Sequence, residues 1–263
     1  MSKDVVKLDI DKRGVAWVTL NRPEKNNAYN SEMIEALLNG ARSLAEDSSV
    51  RVVVLRGEGR HFQAGADLGW IQSVRATSEA ENIAVSQATT DAVNLLCGLP
   101  KPVVALVQGG CFGGGTGIIS ACDIVIADET AMFSITEARW GLTAIPIIPQ
   151  LLSRIGSGNL RRYALTCERF GAERAREIGL VDEVCAAGTL ATTAEPILDA
   201  LLHCPPDALA VTKASIREFA GLVFDQPARE AMARPHALKR LDAEADEGLK
   251  SFLEKRKPAW YPT

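Results

Sequence analysis

The sequence predicts an α/β fold with a helical C-terminal part. Two apolar runs, at 50–57 and 102–109, have the composition of strands buried on both faces of a parallel sheet. Each is followed by a loop of small residues and then by a helical segment, which is the pattern of βαβ units. Beyond about residue 144 the segments have helical spacing. A chain of 263 residues, 47% of them apolar, is long enough for a large core.

The first half alternates strands with helices. Its strand-like segments are 5–10, 14–20, 50–57, 102–109, 123–128 and 131–135. The polar connection DKRG joins the first two and suits a hairpin. Helical spacing covers 30–48, where Asn30 and Ser31 are capping candidates, and a second helical segment spans 77–100.

The second half is predicted to be helical. Its segments are 147–155, 158–168, 171–179, 189–203, 206–222 and 226–254. We expect the last of them to break softly near Pro235. From the pattern alone, this part packs either on the core or on another subunit.

Composition excludes several classes of function. The net charge of −4 argues against an electrostatic nucleic-acid binder. No stretch reaches membrane-spanning length without charge, and the first 14 residues do not read as a signal peptide, so we expect a cytoplasmic protein without a membrane partner. The six cysteines form no CxxC pair and the three histidines have no ligand spacing, which predicts buried thiols and no metal site.

Two loops of small residues follow the two buried strands. GGCFGGGTG (109–117) lies after one strand and opens a helix, and AGA at 64–66 lies after the other, where Asp67 can cap the next helix. Glycines in such a loop either permit close helix–sheet packing or let the backbone approach a ligand. Two such loops at one sheet edge can each present an N–H to one carbonyl oxygen, which is an oxyanion hole.

The motifs HFQAGADL (61–68), VQGGCFGGGTGIISACD (107–123) and FSITEARWGL (133–142) resemble the enoyl-CoA hydratase/isomerase (crotonase) family. The resemblance covers nearly the whole chain. It implies a spiral of ββα turns, a homotrimer or homohexamer, and an acyl-CoA thioester as substrate, with coenzyme A as part of the substrate and no separate cofactor. It divides the chain into a thioester-binding core over 1–195 and a helical region over 196–263 that oligomerises and closes the site.

The same resemblance implies the catalytic groups. The N–H groups of Ala66 and Gly114 would form the oxyanion hole, and Glu137 would be the acid and base. Hydratases of the family commonly carry a second glutamate three residues after the oxyanion glycine, where this chain has Gly117. One carboxylate can still suffice if it takes a proton from water and returns one at C2.

Several alternatives stay open at this level. Single-glutamate members include double-bond isomerases, and the loss at Gly117 also fits a non-catalytic acyl-CoA-binding member. The segment LTAIPIIPQLLSRIG (142–156) looks more like methylglutaconyl-CoA and isohexenylglutaconyl-CoA hydratases than feruloyl-CoA hydratase-lyases.

Coenzyme A contacts are also implied by the resemblance. The residues expected to bind the nucleotide and pantetheine are Arg22, Lys25, Ala28, Ala64, Gly65, Ala66, Asp67, Leu68 and Lys255. Arg22, Lys25 and Lys255 would meet phosphates as cations. For His61, a structural role in its loop is favoured over catalysis.

Overall fold

A six-stranded sheet forms the centre of the computed structural model, which describes residues 4–262. Its strands are β1 (Val6–Ile10), β2 (Val15–Leu20), β3 (Val52–Gly57), β4 (Val103–Val107), β6 (Ile124–Asp128) and β9 (Glu183–Cys185). They lie in the order β1-β2-β3-β4-β6-β9, and only the β1–β2 pair is antiparallel. The hairpin and the parallel core predicted from the sequence are therefore confirmed.

A second sheet of three short strands, which the sequence analysis missed as a sheet, lies beside the glycine stretch. It consists of β5 (Gly110–Phe112), β7 (Met132–Ser134) and β8 (Phe170–Gly171). Strand β5 falls inside the stretch that was interpreted as a loop, because three-residue strands rich in glycine carry no alternation pattern. This sheet fixes the backbone immediately before the predicted oxyanion glycine.

Ten α-helices pack around the two sheets within residues 4–262. They are α1 (Ser31–Glu46), α2 (Leu68–Arg75), α3 (Glu79–Gly98), α4 (Gly114–Ser120), α5 (Ile148–Thr166), α6 (Ala172–Glu177), α7 (Leu190–His203), α8 (Pro206–Phe219), α9 (Gln226–Leu241) and α10 (Ala243–Leu253). Asn30 caps α1 through its side chain, which accepts from the Met33 N–H at 3.1 Å. Helix α5 kinks at Gly156, whose φ is +68°, close to the break predicted between 155 and 158.

The C-terminal helices differ from the prediction at one point. The segment 226–254 does not break at Pro235, which lies inside α9; it breaks at Asp242. There the backbone is extended, and the Asp242 side chain accepts from the Ala245 N–H at 3.0 Å. This side-chain cap marks the start of a new helix, whereas α9 continues through Pro235.

The core lies on both faces of the large sheet. One apolar cluster joins the sheet to helices α1, α3, α4 and α5, and a smaller one packs the opposite face against α7 through Ala194 and Leu198. The boundary that the resemblance implied between residues 195 and 196 thus falls inside a helix that packs on the sheet.

Four of the six cysteines are buried free thiols, Cys185 is half-buried, and Cys204 is exposed, contrary to the expectation that all are buried. Across residues 4–262 no helix is both long and apolar enough to cross a membrane.

Candidate active site

The two small-residue loops run side by side. Gln63 pairs with Cys111 in a parallel bridge, in which Gln63 N donates to Gly110 O at 3.1 Å and Phe112 N donates to Gln63 O at 2.9 Å. Three residues further along each loop lie Ala66 and Gly114, which both line one cavity of about 750 Å³. The pairing therefore explains why two residues 48 positions apart in sequence face the same cavity.

The amides of Ala66 and Gly114 have no acceptor among residues 4–262. The flanking amides are occupied: Asp67 N donates to Tyr29 O at 2.9 Å, and Gly113 N donates to Ser134 O at 2.9 Å. Gly114 is the first residue of α4, where helix geometry leaves the N–H without an internal partner. Two free donors beside one cavity are what an oxyanion hole requires.

The glycines of these loops are needed for close approach. Gly65 has φ +86°, and a Cβ there would lie 2.9 Å from Phe112 O on the neighbouring loop. A Cβ at Gly114 would lie 2.6 Å from Tyr29 Cε1. His61 holds the start of the second loop, since its Nδ1 accepts from Gly110 N at 2.8 Å, so the structural role favoured for His61 is confirmed.

Glu137 lies on the cavity wall beside the second loop, in a single 3-10 turn over Glu137–Trp140. A Cβ at Gly113 would lie 3.1 Å from Glu137 Oε1. Part of the residue is exposed, but Oε2 is enclosed and has no hydrogen-bond partner among residues 4–262. Burial raises the pKa of Glu137 from 4.5 to about 7. Hydrogen bonds from the backbone amides of Glu137 and Thr136 lower this pKa and offset part of the rise.

Helix α10 closes over the turn that carries Glu137. A Cβ at Gly248 would lie 2.4 Å from Trp140 O, and one at Gly141 would lie 2.4 Å from Glu244 O, so only glycines permit this contact. Trp140 lines the cavity and also meets Phe252 of α10 edge-on, with ring centroids 4.7 Å apart. Trp140 therefore both lines the cavity and packs against α10.

Ile147 fills the space in front of Gly117, the position at which the resemblance implied a second glutamate in hydratases. A Cβ at Gly117 would lie 2.1 Å from Ile147 Cγ2 and 2.5 Å from Ile147 Cβ. Ile147 is 4% exposed and lines the cavity. The space in front of Gly117 is therefore filled by packing and has no room for a carboxylate.

Sequence reasoning missed two polar residues of the cavity wall that lie near these groups. The hydroxyl of Thr143 is buried without a partner among residues 4–262. The ring of Tyr29 lies against Gly114, and burial, followed by the charge of Glu137, raises the pKa of its hydroxyl. Neither residue belongs to a motif that the sequence alone marks as chemical.

The residues expected to bind coenzyme A divide into two groups. Lining the cavity are Lys25, Ala28, Ala64, Ala66, Asp67 and Leu68. Gly65, Arg22 and Lys255 are not among the lining residues. Asp67 also caps α2, accepting from Gly69 N at 3.1 Å and Trp70 N at 3.3 Å.

Arg22 is engaged inside the chain. Its guanidinium donates to Ala28 O and forms an ion pair with Asp67 at 3.2 Å, and its side chain is 13% exposed. It therefore connects the segment before α1 to the first oxyanion loop.

Lys255 is exposed beyond the end of α10, and its contact with phosphate stays a prediction. No cluster of three or more metal-ligating side chains occurs in the part of the chain that the structure describes.

Comparison with known proteins gives one consistent result. The enoyl-CoA hydratase/isomerase family model matches residues 11–262. The chain is 32% identical to the 1,2-epoxyphenylacetyl-CoA isomerase of Escherichia coli, over 94% of each protein. It is 30% identical to the hydroxycinnamoyl-CoA hydratase-lyase of Pseudomonas fluorescens, over 95% of this chain and 92% of that protein.

Solved structures agree. The crystal structure of an enoyl-CoA hydratase from Mycobacterium avium is 32% identical and superposes with a TM-score of 0.86, covering 98% of this chain and 100% of that one. The crotonase-type fold that the motifs implied is thus confirmed.

Proposed function

Because the chain belongs to the enoyl-CoA hydratase/isomerase family, we propose that it is an enoyl-CoA hydratase that adds water across the 2,3 double bond of an acyl-CoA thioester. One observation carries the proposal: an enclosed carboxylate oxygen and two backbone amides lie on the wall of one cavity, and none of the three has a hydrogen-bond partner among residues 4–262. Coenzyme A enters as part of the substrate, so no separate cofactor is needed.

The two amides bind the thioester oxygen. The N–H groups of Ala66 and Gly114 donate to this oxygen and polarise the conjugated double bond, which makes C3 electrophilic. As negative charge develops on the oxygen, the two donors stabilise it. Loss of one such donor typically costs about 3–4 kcal/mol of transition-state stabilisation.

Glu137 moves the protons. As a carboxylate it takes a proton from water while the hydroxide oxygen bonds to C3, and the π electrons pass to the enolate oxygen. The resulting carboxylic acid then protonates C2, which restores the carboxylate and yields a 3-hydroxyacyl thioester. A pKa of about 7 suits both halves of this cycle at neutral pH. The hydroxyl of Thr143, which has no partner among residues 4–262, lies on the same cavity wall and is suited to hold the attacking water.

A second candidate function is double-bond isomerisation. The closed position at Gly117 favours it, because a single carboxylate that removes a proton at C2 and returns it at C4 needs no second acid. The enolate would be held by the same two amides. The description of the matching family names isomerases beside hydratases.

The remaining expectations belong to the same proposal. We assign Lys25 and the 64–68 loop to the coenzyme A chain, with Lys25, exposed at the cavity wall, meeting a phosphate. A cytoplasmic homotrimer or homohexamer without nucleic-acid or membrane partners fits the acidic composition and the exposed apolar residues of α8, among them Phe219 at 89% exposed.

The test supplies 2-enoyl-CoA and 3-enoyl-CoA thioesters separately and follows the products by mass spectrometry. A hydratase increases the mass of a 2-enoyl substrate by one water, whereas an isomerase converts a 3-enoyl substrate without a mass change. If a broad panel of thioesters binds and none reacts, the chain is a non-catalytic member of the family. If none binds, the assignment of the cavity is wrong.

A further inference from the structure

A buried arginine lies on the wall of the proposed acyl-CoA cavity. Arg240, on the last turn of α9, is only 2% exposed, yet it lines the cavity. Helix α9 packs along α3, and the guanidinium reaches Asn82 and Ser86 on that helix. The proposed mechanism makes no use of this residue.

The contacts of Arg240 leave its charge uncompensated. Nη1 donates to Asn82 O at 3.4 Å and Oδ1 at 3.3 Å, and Nη2 donates to Ser86 Oγ at 3.1 Å. These acceptors are neutral. Within residues 4–262, no carboxylate lies within ion-pair distance of the Arg240 guanidinium. Buried guanidinium groups are normally paired, because an unpaired buried charge is costly. Burial accordingly lowers the pKa of Arg240.

Glu137 and Tyr29 lie on the cavity wall near the proposed oxyanion hole, and burial raises the pKa of both. The remaining ionisable groups of the wall are solvated, paired or neutral. Lys25 and Arg169 are exposed, so water screens their charges. Asp67 is paired with Arg22. His236 lies one turn before Arg240 and shares Ser86 Oγ with it at 3.0 Å, but burial lowers its pKa to about 3, which makes the ring neutral. Arg240 therefore presents a positive charge to a part of the cavity that also includes the hydroxyl of Tyr29.

That part of the cavity suits an acyl chain better than a nucleotide. Beyond Ser86, the next turns of α3 line the cavity with Thr89, Ala92 and Val93. Coenzyme A phosphates carry several charges and stay hydrated, which fits the exposed cations Lys25 and Arg169. A single planar carboxylate at the end of an acyl chain can be desolvated and bound by both arms of a guanidinium.

We propose that Arg240 binds a carboxylate carried by the acyl group, so that the substrate is the coenzyme A thioester of an unsaturated dicarboxylic acid. This inference rests on the proposed function, since it assumes that the cavity holds an acyl-CoA thioester. It makes Arg240 a specificity-determining residue, with Asn82 and Ser86 holding its guanidinium in place.

The test measures binding, which does not depend on turnover. Saturated thioesters of matched length are titrated calorimetrically into the full-length protein: glutaryl-CoA against pentanoyl-CoA, and adipyl-CoA against hexanoyl-CoA. A charge-assisted bidentate contact predicts at least ~10-fold tighter binding of the dicarboxylic member in one or both pairs. In Arg240→Met, which has similar volume and no charge, we expect this preference to disappear.

The matched control is Arg229→Met, on the same helix. Arg229 is paired with Asp91 at 2.8 Å and does not line the cavity, so the preference should persist in that variant. Arg240→Lys keeps the charge without the planar fork and should retain part of the preference. It also keeps the test informative if Arg240→Met fails to fold.

The outcomes separate this inference from the proposed function. Binding of the monocarboxylic thioesters at least as tightly as both dicarboxylic partners would overturn the inference and leave the hydratase proposal intact. A dicarboxylate preference that survives in Arg240→Met would overturn the role of Arg240. Failure of every thioester to bind would overturn both proposals.

Discussion

Replacing Glu137 by glutamine is expected to stabilise the fold at pH 8 and not at pH 4. Burial raises the pKa of Glu137 from 4.5 to about 7. Between these values the unfolded chain releases the proton and the folded chain keeps it, so wild-type stability falls as the pH rises through this window. A rise from 4.5 to about 7 corresponds to up to about 3 kcal/mol, at 1.36 kcal/mol per pKa unit.

Denaturant unfolding at pH 4 and pH 8 measures this effect. The glutamine amide has its own cost of burial, but that cost does not depend on pH, so the change in the stability difference between the two pH values isolates the carboxyl group. Glu32→Gln, at an exposed position outside the cavity, controls for the substitution itself. An identical stability difference at both pH values would show that the Glu137 carboxyl is not desolvated.

Three further predictions follow from the site. If Glu137 acts as a base on water, kcat/KM should rise with pH and level off above about 7, as a pH–rate profile from 5.5 to 9 would show. Gly117→Ala should destabilise the fold by about 1–3 kcal/mol, because its Cβ would overlap Ile147, and Ile147→Ala in the same chain should relieve part of the loss in denaturant titrations. Asp67→Ala should cost about 1–2 kcal/mol and lower the melting temperature, because it removes the α2 cap and the Arg22 ion pair.

Each of these has a contradicting result. A flat pH–rate profile would remove Glu137 as the titrating base. A Gly117→Ala variant as stable as the wild type would mean that Ile147 moves freely. An unchanged melting temperature for Asp67→Ala would show that α2 needs neither the cap nor the ion pair.

The parallel core was predictable because its strands are continuous apolar runs, as at Val52–Gly57 and Val103–Val107. The second sheet was not, since its strands have two or three residues and pair only through tertiary contacts. The break in the C-terminal segment was misplaced at Pro235. The prediction considered the missing N–H of Pro235 and overlooked the capping side chain of Asp242.

The candidate site divides in the same way. Ala66, Gly114 and Glu137 lie in the motifs that carry the family resemblance, which is how they were predicted, and the structure brings all three to one cavity. Arg240 and Ile147 acquire their importance from what surrounds them. A buried charge without a partner, and a side chain filling the space before a glycine, are properties of packing that no local spacing encodes.

The most direct test of the account compares turnover and binding in Glu137→Gln. With a 2-enoyl-CoA substrate in water labelled with oxygen-18, the wild type should form the labelled 3-hydroxyacyl thioester. The variant should bind an unreactive acyl-CoA with similar affinity and form the product at least ~10²-fold more slowly. Formation of the labelled product by Glu137→Gln at the wild-type rate would contradict the assignment of Glu137 as the group that moves the proton.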